Sequence, residues 1–267
     1  MKTLLTKWHT KSYLQVSLDN GPINIFNQAM INDLQQLAGE LEQNKDVKVV
    51  VFDSANKDFF ISHLDILGAA NLDLTPAPQT GLSMWPDVAV RFERAPFITV
   101  GLLRGRARGV GSEFLLALDT RFASREKATL CQIELGTGIV PGGGGLERLP
   151  ALIGRSRAIE VIAGAQEFDA DTAERYGWIN RAIADSELDT FVDNFAKRID
   201  SFDKQTIALA KSIINERTGV AAIEDLASTE DKFFTALSWP ETQARIGSLI
   251  ERGLQQYEFE LELPKHL

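Results

Sequence analysis

Two short, uninterrupted apolar runs limit the folds that this chain can adopt. Residues 49–52 and 97–103 have the length of strands and contain almost no polar side chains. A strand that reads as a continuous apolar run is buried on both faces, as in parallel sheets covered by helices. A strand with one wet face would instead alternate apolar and polar residues. The two runs therefore predict an α/β fold with a layered core.

Weaker patterns extend this predicted core. Alternation of apolar and polar residues over 14–18 predicts one more strand, and further strands are expected at 121–123 and 128–131. Asn27 can accept from the first free backbone N–H groups of a helix, and the apolar residues behind it recur at helical spacing. Strands that alternate with helices in this way favour the same α/β class.

The pattern changes near residue 185. No convincing strand occurs in residues 188–254, and the apolar stripes there predict packed helices. We therefore expect an α/β core over residues 1–200 and a helical C-terminal region over residues 201–267. The segment 257–263 alternates polar and apolar residues, which favours an extended arm lying across a neighbouring subunit. Residues 66–86 contain several prolines and no period, which is typical of a binding loop or lid.

Composition excludes several classes of protein. The net charge of −9 makes a general nucleic-acid binder improbable, because an acidic chain repels phosphate backbones. The single cysteine, Cys131, allows no intramolecular disulfide and no Cys-rich metal site. The sequence lacks an apolar run long enough for a signal peptide or a membrane span. These features predict a cytoplasmic protein without nucleic-acid or membrane partners.

A glycine-rich segment at residues 105–113 follows the second apolar run. Gly109 and Gly111 permit close approach to backbone amides, and a helix that begins there presents unpaired N–H groups to an anion or oxyanion. Glu113, almost one turn into that helix, could face the same ligand. It could also serve only as a helix-capping residue, which is the commoner role at that position. The segment does not match a nucleotide P-loop.

A second acidic residue, Glu134, follows a strand-like segment and precedes a glycine run at residues 142–145. Two carboxylates that converge from separate segments could act as general acid and general base, although Glu134 could also be a surface residue. The glycine run could be a flexible loop. His63 has no partner at metal-ligand spacing and Cys131 has no dyad partner, so metal catalysis and serine or cysteine hydrolysis are unsupported.

Taken together, the order and spacing of these segments resemble the crotonase, or enoyl-CoA hydratase/isomerase, superfamily. Residues 60–65 stand where the family has Phe-x-Ala-Gly-x-Asp, with His63 in place of the glycine. Residues 104–113 match Asn-Gly-x-Ala-x-Gly-Gly-Gly-x-Glu, with Arg104 for the asparagine and Val110 for the middle glycine. Residues 133–149 match a Glu followed by Pro-Gly-x-Gly-Gly-x-x-Arg-Leu.

This resemblance implies a crotonase-like spiral core of repeated ββα units. It also implies an acyl thioester of coenzyme A as substrate, with no permanently bound cofactor and no metal. The backbone N–H groups of Leu64 and Val110 would hold the thioester oxygen and so stabilise an enolate. Glu113 and Glu134 match the two glutamates with which the family's hydratases add water. The positions expected to bind substrate are Ser62, His63, Asp65, Gly109, Gly111 and Gly142.

Because both glutamates are present, the resemblance favours reversible hydration of a 2-enoyl-CoA to a 3-hydroxyacyl-CoA. Isomerases of the family typically keep only the second glutamate. A double-bond isomerase, a thioester hydrolase or a decarboxylase remain alternatives, and a catalytically silent assembly or RNA-binding relative is an alternative of another class. The resemblance further implies a homotrimer or a dimer of trimers, built with the C-terminal helices.

Overall fold

A computed structural model describes residues 1–267, apart from the side chain of Met84. The strands, in chain order, are β1 (Leu4–Trp8), β2 (Tyr13–Leu18), β3 (Val49–Ser54), β4 (Phe59–Ile61), β5 (Ile98–Leu103), β6 (Arg106–Arg108), β7 (Thr120–Ser124), β8 (Thr129–Cys131), β9 (Phe168–Asp169) and β10 (Arg181–Ile183). The helices are α1 (Gln28–Gln43), α2 (Met84–Arg94), α3 (Val110–Ala117), α4 (Glu134–Thr137), α5 (Gly145–Ile153), α6 (Arg155–Gly164), α7 (Ala170–Tyr176), α8 (Asp185–Asp200), α9 (Lys204–Thr218), α10 (Ile223–Leu237), α11 (Pro240–Glu251) and α12 (Tyr257–Leu261). Among these described helices, none has the length and apolar character needed to cross a membrane.

The strands form two sheets that the chain visits alternately. The larger sheet has the order β1-β2-β3-β5-β7-β10, and only its β1–β2 pair is antiparallel. The smaller sheet has the order β4-β6-β8-β9, with β9 antiparallel to β8. The pairs β3–β4, β5–β6 and β7–β8 each give one strand to each sheet, and a helix follows each pair. This arrangement confirms the predicted α/β class and its repeated ββα units.

Strand β3 shows why the apolar runs are continuous. Val50 and Phe52 point into the main core, where the Phe52 ring meets the Phe114 ring of α3 edge-on at 5.2 Å between centroids. Val49 and Val51 point to the opposite face, which α8 covers. Because both faces exclude water, neither can carry a polar side chain without a partner.

Most of the predicted elements are present. The predicted strands coincide with β2, β3, β5, β7 and β8, and helix α1 begins after Asn27, whose side chain accepts from the N–H of Met30 at 3.1 Å. The patterns missed β1, an edge strand in which only Leu4 is buried and the four following residues are exposed. With one buried residue, such a strand shows no alternation of apolar and polar side chains.

The C-terminal third is helical, as expected. Beyond β10 the described chain contains helices and turns, with no further strand. The division of the chain at residue 200 stays a prediction. Helix α8 packs on the larger sheet and α10 contacts α5, so the helical region and the α/β core share contacts.

The chain terminus corrects one expectation. Residues 257–261 form helix α12 rather than an extended arm, and a 3-10 turn follows at Leu263–Lys265. This terminal segment packs on its own chain, where Leu263 is fully buried beside Cys131 and Ile133. The alternating pattern misled because Glu260, counted as a surface residue, is buried against charged partners.

Candidate active site

A largely apolar cavity lies where the N-terminus of α3 meets the N-terminus of α4. Both Glu113 and Glu134 line it, each on the first turn of its helix. The predicted positions Leu64, Val110, His63, Gly109 and Gly142 also line it. The structure therefore brings together the three segments that the motifs singled out, which are spread over residues 59–145 of the sequence.

Glu113 is held in one orientation by the glycine run. Its Oε1 accepts hydrogen bonds from the backbone N–H groups of Gly143 and Gly145, both at 2.9 Å. The Arg148 guanidinium in turn donates to the carbonyl oxygen of Gly143 at 3.1 Å, and Glu93 pairs with that guanidinium. The interpretation of the run as a flexible loop is therefore wrong. It is an ordered loop that orients a carboxylate.

Close approach explains why this loop needs glycine. A Cβ on Gly143 would lie 2.3 Å from Oε2 of Glu113 and 2.4 Å from Cδ1 of Trp85. Any side chain there would push the loop away from the carboxylate that it binds. Gly109 has a similar role beside Glu134, because its Cβ would lie 2.8 Å from Oε1 of that residue, and its φ of 50° also favours glycine.

The two carboxyl groups resist ionisation to different degrees. Burial raises the pKa of Glu113 to about 7, while the N–H groups of Gly145 and Gly143 oppose that shift by stabilising the charged form. Burial, and then the negative charge of Glu113, raise the pKa of Glu134 well above its ordinary value. Two carboxyl groups with raised pKa values on one cavity are an arrangement that general acid–base catalysis can use.

Peptide geometry explains why the amide of Leu64 has no partner. The carbonyl of His63 accepts from the N–H of Phe26 at 2.9 Å. In a planar trans peptide the N–H points opposite to the C=O, so the Leu64 N–H points away from Phe26. It has no hydrogen-bond acceptor within the described chain. Leu64 itself lines the cavity.

The amide of Val110 is free because it opens a helix. The carbonyl of Gly109 accepts the first helical hydrogen bond, from the N–H of Glu113 at 2.9 Å. The Val110 N–H belongs to the same peptide and therefore points out of the helix N-terminus, where no intrahelical partner exists. It too has no acceptor among the described residues. Two residues with unpaired backbone donors, Leu64 and Val110, thus line the cavity that both glutamates also line.

Three of the predicted substrate-binding positions are not among the described residues that line the cavity. Ser62 is fully buried behind it. Asp65 accepts from the N–H of Gly68 and from the side chain of Gln255. Gly111 lies against the backbone of Ile61, where a Cβ would approach the carbonyl oxygen to 2.6 Å. Its role in the geometry is the close packing of α3 on β4.

The alternating arginines of β6 and its neighbourhood are paired with acids. Arg104 pairs with Asp185 and Asp189, and Arg108 donates to Glu167 at 2.6 Å. Cys131 is buried, and burial raises the pKa of its thiol, as expected for a packing residue and not for a nucleophile.

Sequence reasoning missed much of the cavity wall. Trp85 of α2 stacks on Phe114 at 5.0 Å between ring centroids, and Phe233, Phe234 and Leu237 of α10 close another side. The apolar stripe of α10 was visible in the sequence, but a stripe at helical spacing does not reveal which surface it covers. The loop predicted at residues 66–86 contributes Ile66, Ala69 and Leu72 to the wall, although its last residues, 84–86, belong to α2.

Comparisons with known proteins agree with this geometry. The sequence profile of the family described as enoyl-CoA hydratase/isomerase matches residues 9–259. A short-chain-enoyl-CoA hydratase of Clostridium acetobutylicum is 28% identical over 230 residues, which cover 86% of this chain and 87% of that protein. A solved structure from Streptomyces avermitilis, classed as a candidate enoyl-CoA hydratase, has a TM-score of 0.92 at 36% identity and covers 100% of this chain and 97% of its own. An enoyl-CoA hydratase structure from Mycobacterium avium subsp. paratuberculosis superposes with a TM-score of 0.81 at 22% identity, covering 92% of this chain and 98% of its own, which shows the common fold.

The fold and the match to the family profile define an enzyme of the crotonase superfamily. The chain belongs to the enoyl-CoA hydratase/isomerase family, whose substrates are thioesters of coenzyme A.

Proposed function

We propose that this enzyme hydrates a 2-enoyl-CoA reversibly to a 3-hydroxyacyl-CoA. The observation that carries the proposal is the presence of two buried glutamates, Glu113 and Glu134, on one cavity that two unpaired backbone amides also face. The relative from Clostridium acetobutylicum, named a short-chain-enoyl-CoA hydratase, supports the same reaction class. No stably bound cofactor is needed for this chemistry.

The geometry suggests a role for each group. The N–H groups of Leu64 and Val110 would bind the thioester oxygen and stabilise the enolate charge. The ionised Glu113 would take a proton from water as the water oxygen bonds to C3 and the C2–C3 π electrons move towards the thioester oxygen. Protonated Glu134 would then give its proton to C2 as the carbonyl reforms. Return of a proton from Glu113 to Glu134, directly or through solvent, would restore the enzyme, so that the net reaction is addition of one water molecule.

The fixed orientation of Glu113 favours hydration over the alternatives. Two backbone donors hold Oε1, while Oε2 takes part in no hydrogen bond with the described residues and is left for water. A double-bond isomerase needs only one group that moves a proton between carbons, so a second carboxylate held in this way would be idle. A thioester hydrolase, a decarboxylase and a catalytically silent relative remain alternatives that an activity assay can distinguish.

The proposal predicts a bell-shaped pH profile. Because Glu113 must be ionised and its pKa is raised to about 7, kcat/KM should rise as the pH increases through about 7. It should fall again at higher pH, where Glu134 loses the proton that it must donate. The measurement is the loss of ultraviolet absorbance of a conjugated 2-enoyl-CoA, followed across pH.

The control for this profile is Glu113→Gln. This variant should lose about 10²–10⁴-fold in turnover and should no longer show the acidic limb. Release of free thiol instead of loss of the conjugated double bond would identify a hydrolase. A wild-type protein inactive on a panel of 2-enoyl-CoA chain lengths, at every pH, would refute the hydratase proposal.

We also propose that the enzyme assembles as a homotrimer or a dimer of trimers. The apolar stripe of α10 turns inward to the cavity, so the support comes instead from α9, where Leu209 is 62% exposed and Ile214 is 58% exposed. Apolar side chains clustered on one exposed helix typically mark a protein interface. Light scattering at micromolar concentration should give three or six times the 29.5 kDa of one chain, and a stable monomer would refute the assembly.

A substitution on α9 tests the same surface directly. Leu209→Glu should dissociate the assembly, whereas Lys204→Glu at the start of the same helix, outside this apolar group, should leave it intact. We further propose a cytoplasmic location, which the single buried cysteine supports, because disulfides are rare in reducing compartments.

A further inference from the structure

The terminal segment is joined by hydrogen bonds to the turn that carries Leu64. The side-chain oxygen of Gln255 accepts from the N–H groups of Ile66 and Leu67, both at 2.9 Å, and its amide nitrogen donates to Asp65. Gln255 itself adopts a φ of 67°, a conformation that non-glycine residues rarely occupy. The end of the chain thus reaches back to a turn some 190 positions earlier, as the separation of 189 between Ile66 and Gln255 shows.

His63 links this segment to the turn through both nitrogens of its ring. Nδ1 lies 2.7 Å from the carbonyl oxygen of Leu64, and Nε2 lies 3.0 Å from Oε1 of Glu260. Both of these partners are hydrogen-bond acceptors, so each nitrogen must carry a proton to make both bonds. The ring thus connects the carbonyl of Leu64 to the carboxylate of Glu260.

The surroundings complete the balance of charge. Arg108 of β6 donates to the backbone carbonyl of Glu260 at 2.6 Å and lies 3.6 Å from its Oε2. Glu167 pairs with Arg108 from the other side. The Oε1 of Glu260 also accepts from the N–H of Gln255 at 2.8 Å. Arg108, Glu167, Glu260 and the His63 ring thus meet where the terminal helix touches the turn, and a buried charge left without a partner there would be costly.

The contacts of His63 bear directly on the Leu64 amide. The peptide before Leu64 is held by Phe26 through the His63 carbonyl. The peptide after Leu64 is held on one side by Phe26, whose carbonyl accepts from the N–H of Asp65 at 2.9 Å, and on the other by the His63 ring. Because hydrogen bonds hold the peptide planes on both sides of Leu64, the direction of the Leu64 N–H is fixed.

We infer that Glu260 and His63 are a pair of positioning residues: the terminal helix sets the His63 ring, and the ring sets the Leu64 amide towards the thioester oxygen. The catalytic part of this inference rests on the proposed function. It accounts together for two features of the sequence, the histidine in place of the family's glycine and the end of the chain that forms α12. Misplacing a catalytic donor by about 1 Å can cost about 10²-fold in rate.

The test compares full-length wild type with Glu260→Gln, His63→Gln, the double variant, and Glu262→Gln as a matched control. Glu262 lies on the same segment, is exposed, and pairs only with Lys265 among the described residues. Two readouts are used. The first is hydrogen exchange at the amides of Phe26 and Asp65, which needs no ligand. The second is the infrared carbonyl stretch of bound 2-butenoyl-CoA labelled with ¹³C at the thioester carbon.

We expect Glu260→Gln and His63→Gln each to speed exchange at both amides, to reduce the downward shift of the carbonyl stretch, and to lower kcat about 10–100-fold with KM changed little. The kcat of the double variant should be no lower than that of the more impaired single variant, because the two residues act through one another. Glu262→Gln should behave as wild type. If Glu260→Gln does not fold, His63→Gln decides, because it leaves Glu260 paired with Arg108.

The outcomes separate the two claims. Unchanged exchange and an unchanged carbonyl shift in the single variants, or losses that multiply in the double variant, would overturn the positioning pair while leaving hydration intact. If the wild-type enzyme lowers the carbonyl stretch of bound 2-butenoyl-CoA but does not hydrate any 2-enoyl-CoA, the proposed function alone is refuted. A wild type that leaves the carbonyl stretch at its solution value would overturn both.

Discussion

Glu134→Gln should lower kcat by about 10²–10⁴-fold, the range that a positioned acid or base typically contributes. The glutamine keeps the shape of the side chain but cannot deliver a proton to the substrate carbon. Because burial and the charge of Glu113 raise the pKa of Glu134, the structure favours the protonated form of this carboxyl group. Glutamine resembles that form in shape and in charge, so the affinity for substrate should change little.

The measurement is kcat for a 2-enoyl-CoA together with the dissociation constant of free coenzyme A. Glu251→Gln, at an exposed position on α11, is the control for a change from glutamate to glutamine away from the cavity. Thermal unfolding should be similar in all three proteins. A Glu134→Gln enzyme that turns over normally, or that loses affinity and turnover in equal measure, would remove Glu134 from the mechanism.

Val110→Pro should lower kcat by about 10²–10³-fold, the loss typical of removing one oxyanion donor. Proline deletes the N–H that faces the cavity and leaves the rest of the backbone in place. Val110 is the first residue of α3, the position at which helices tolerate proline because that N–H has no helical partner. Gly109, with ψ of −119°, lies outside the helical region that a following proline disfavours.

Val110→Ala is the matched control, because it also removes the β-branched side chain but retains the amide. It should keep most of the wild-type activity, and both variants should show cooperative thermal unfolding. The ¹³C carbonyl stretch of bound 2-butenoyl-CoA should return towards its solution value in the proline variant only. Equal activity in the two variants would mean that the Val110 amide does not stabilise the enolate.

The sequence alone was enough to predict the features that depend on neighbouring residues. The continuous apolar run at 49–52 identified a strand buried on both faces, and Asn27 marked the start of α1. The motifs around Glu113 and Glu134 identified the two carboxylates that the structure places on one cavity. Helix caps, strand periodicity and glycine turns are local properties, so a linear pattern carries them. The catalytic roles of these residues stay predictions.

Only the tertiary structure decided which distant segments meet. The wall formed by Trp85 and Phe233, and the contact between His63 and Glu260, join residues whose separation in the chain gives no sign of proximity. Alternation at residues 257–263 predicted an arm because a glutamate was taken to be exposed. Glu260 is instead buried, since His63 and Arg108 compensate its charge, and helix α12 follows from that pairing. Whether a charged side chain lies inside or outside depends on partners supplied by the fold, and no local pattern contains them.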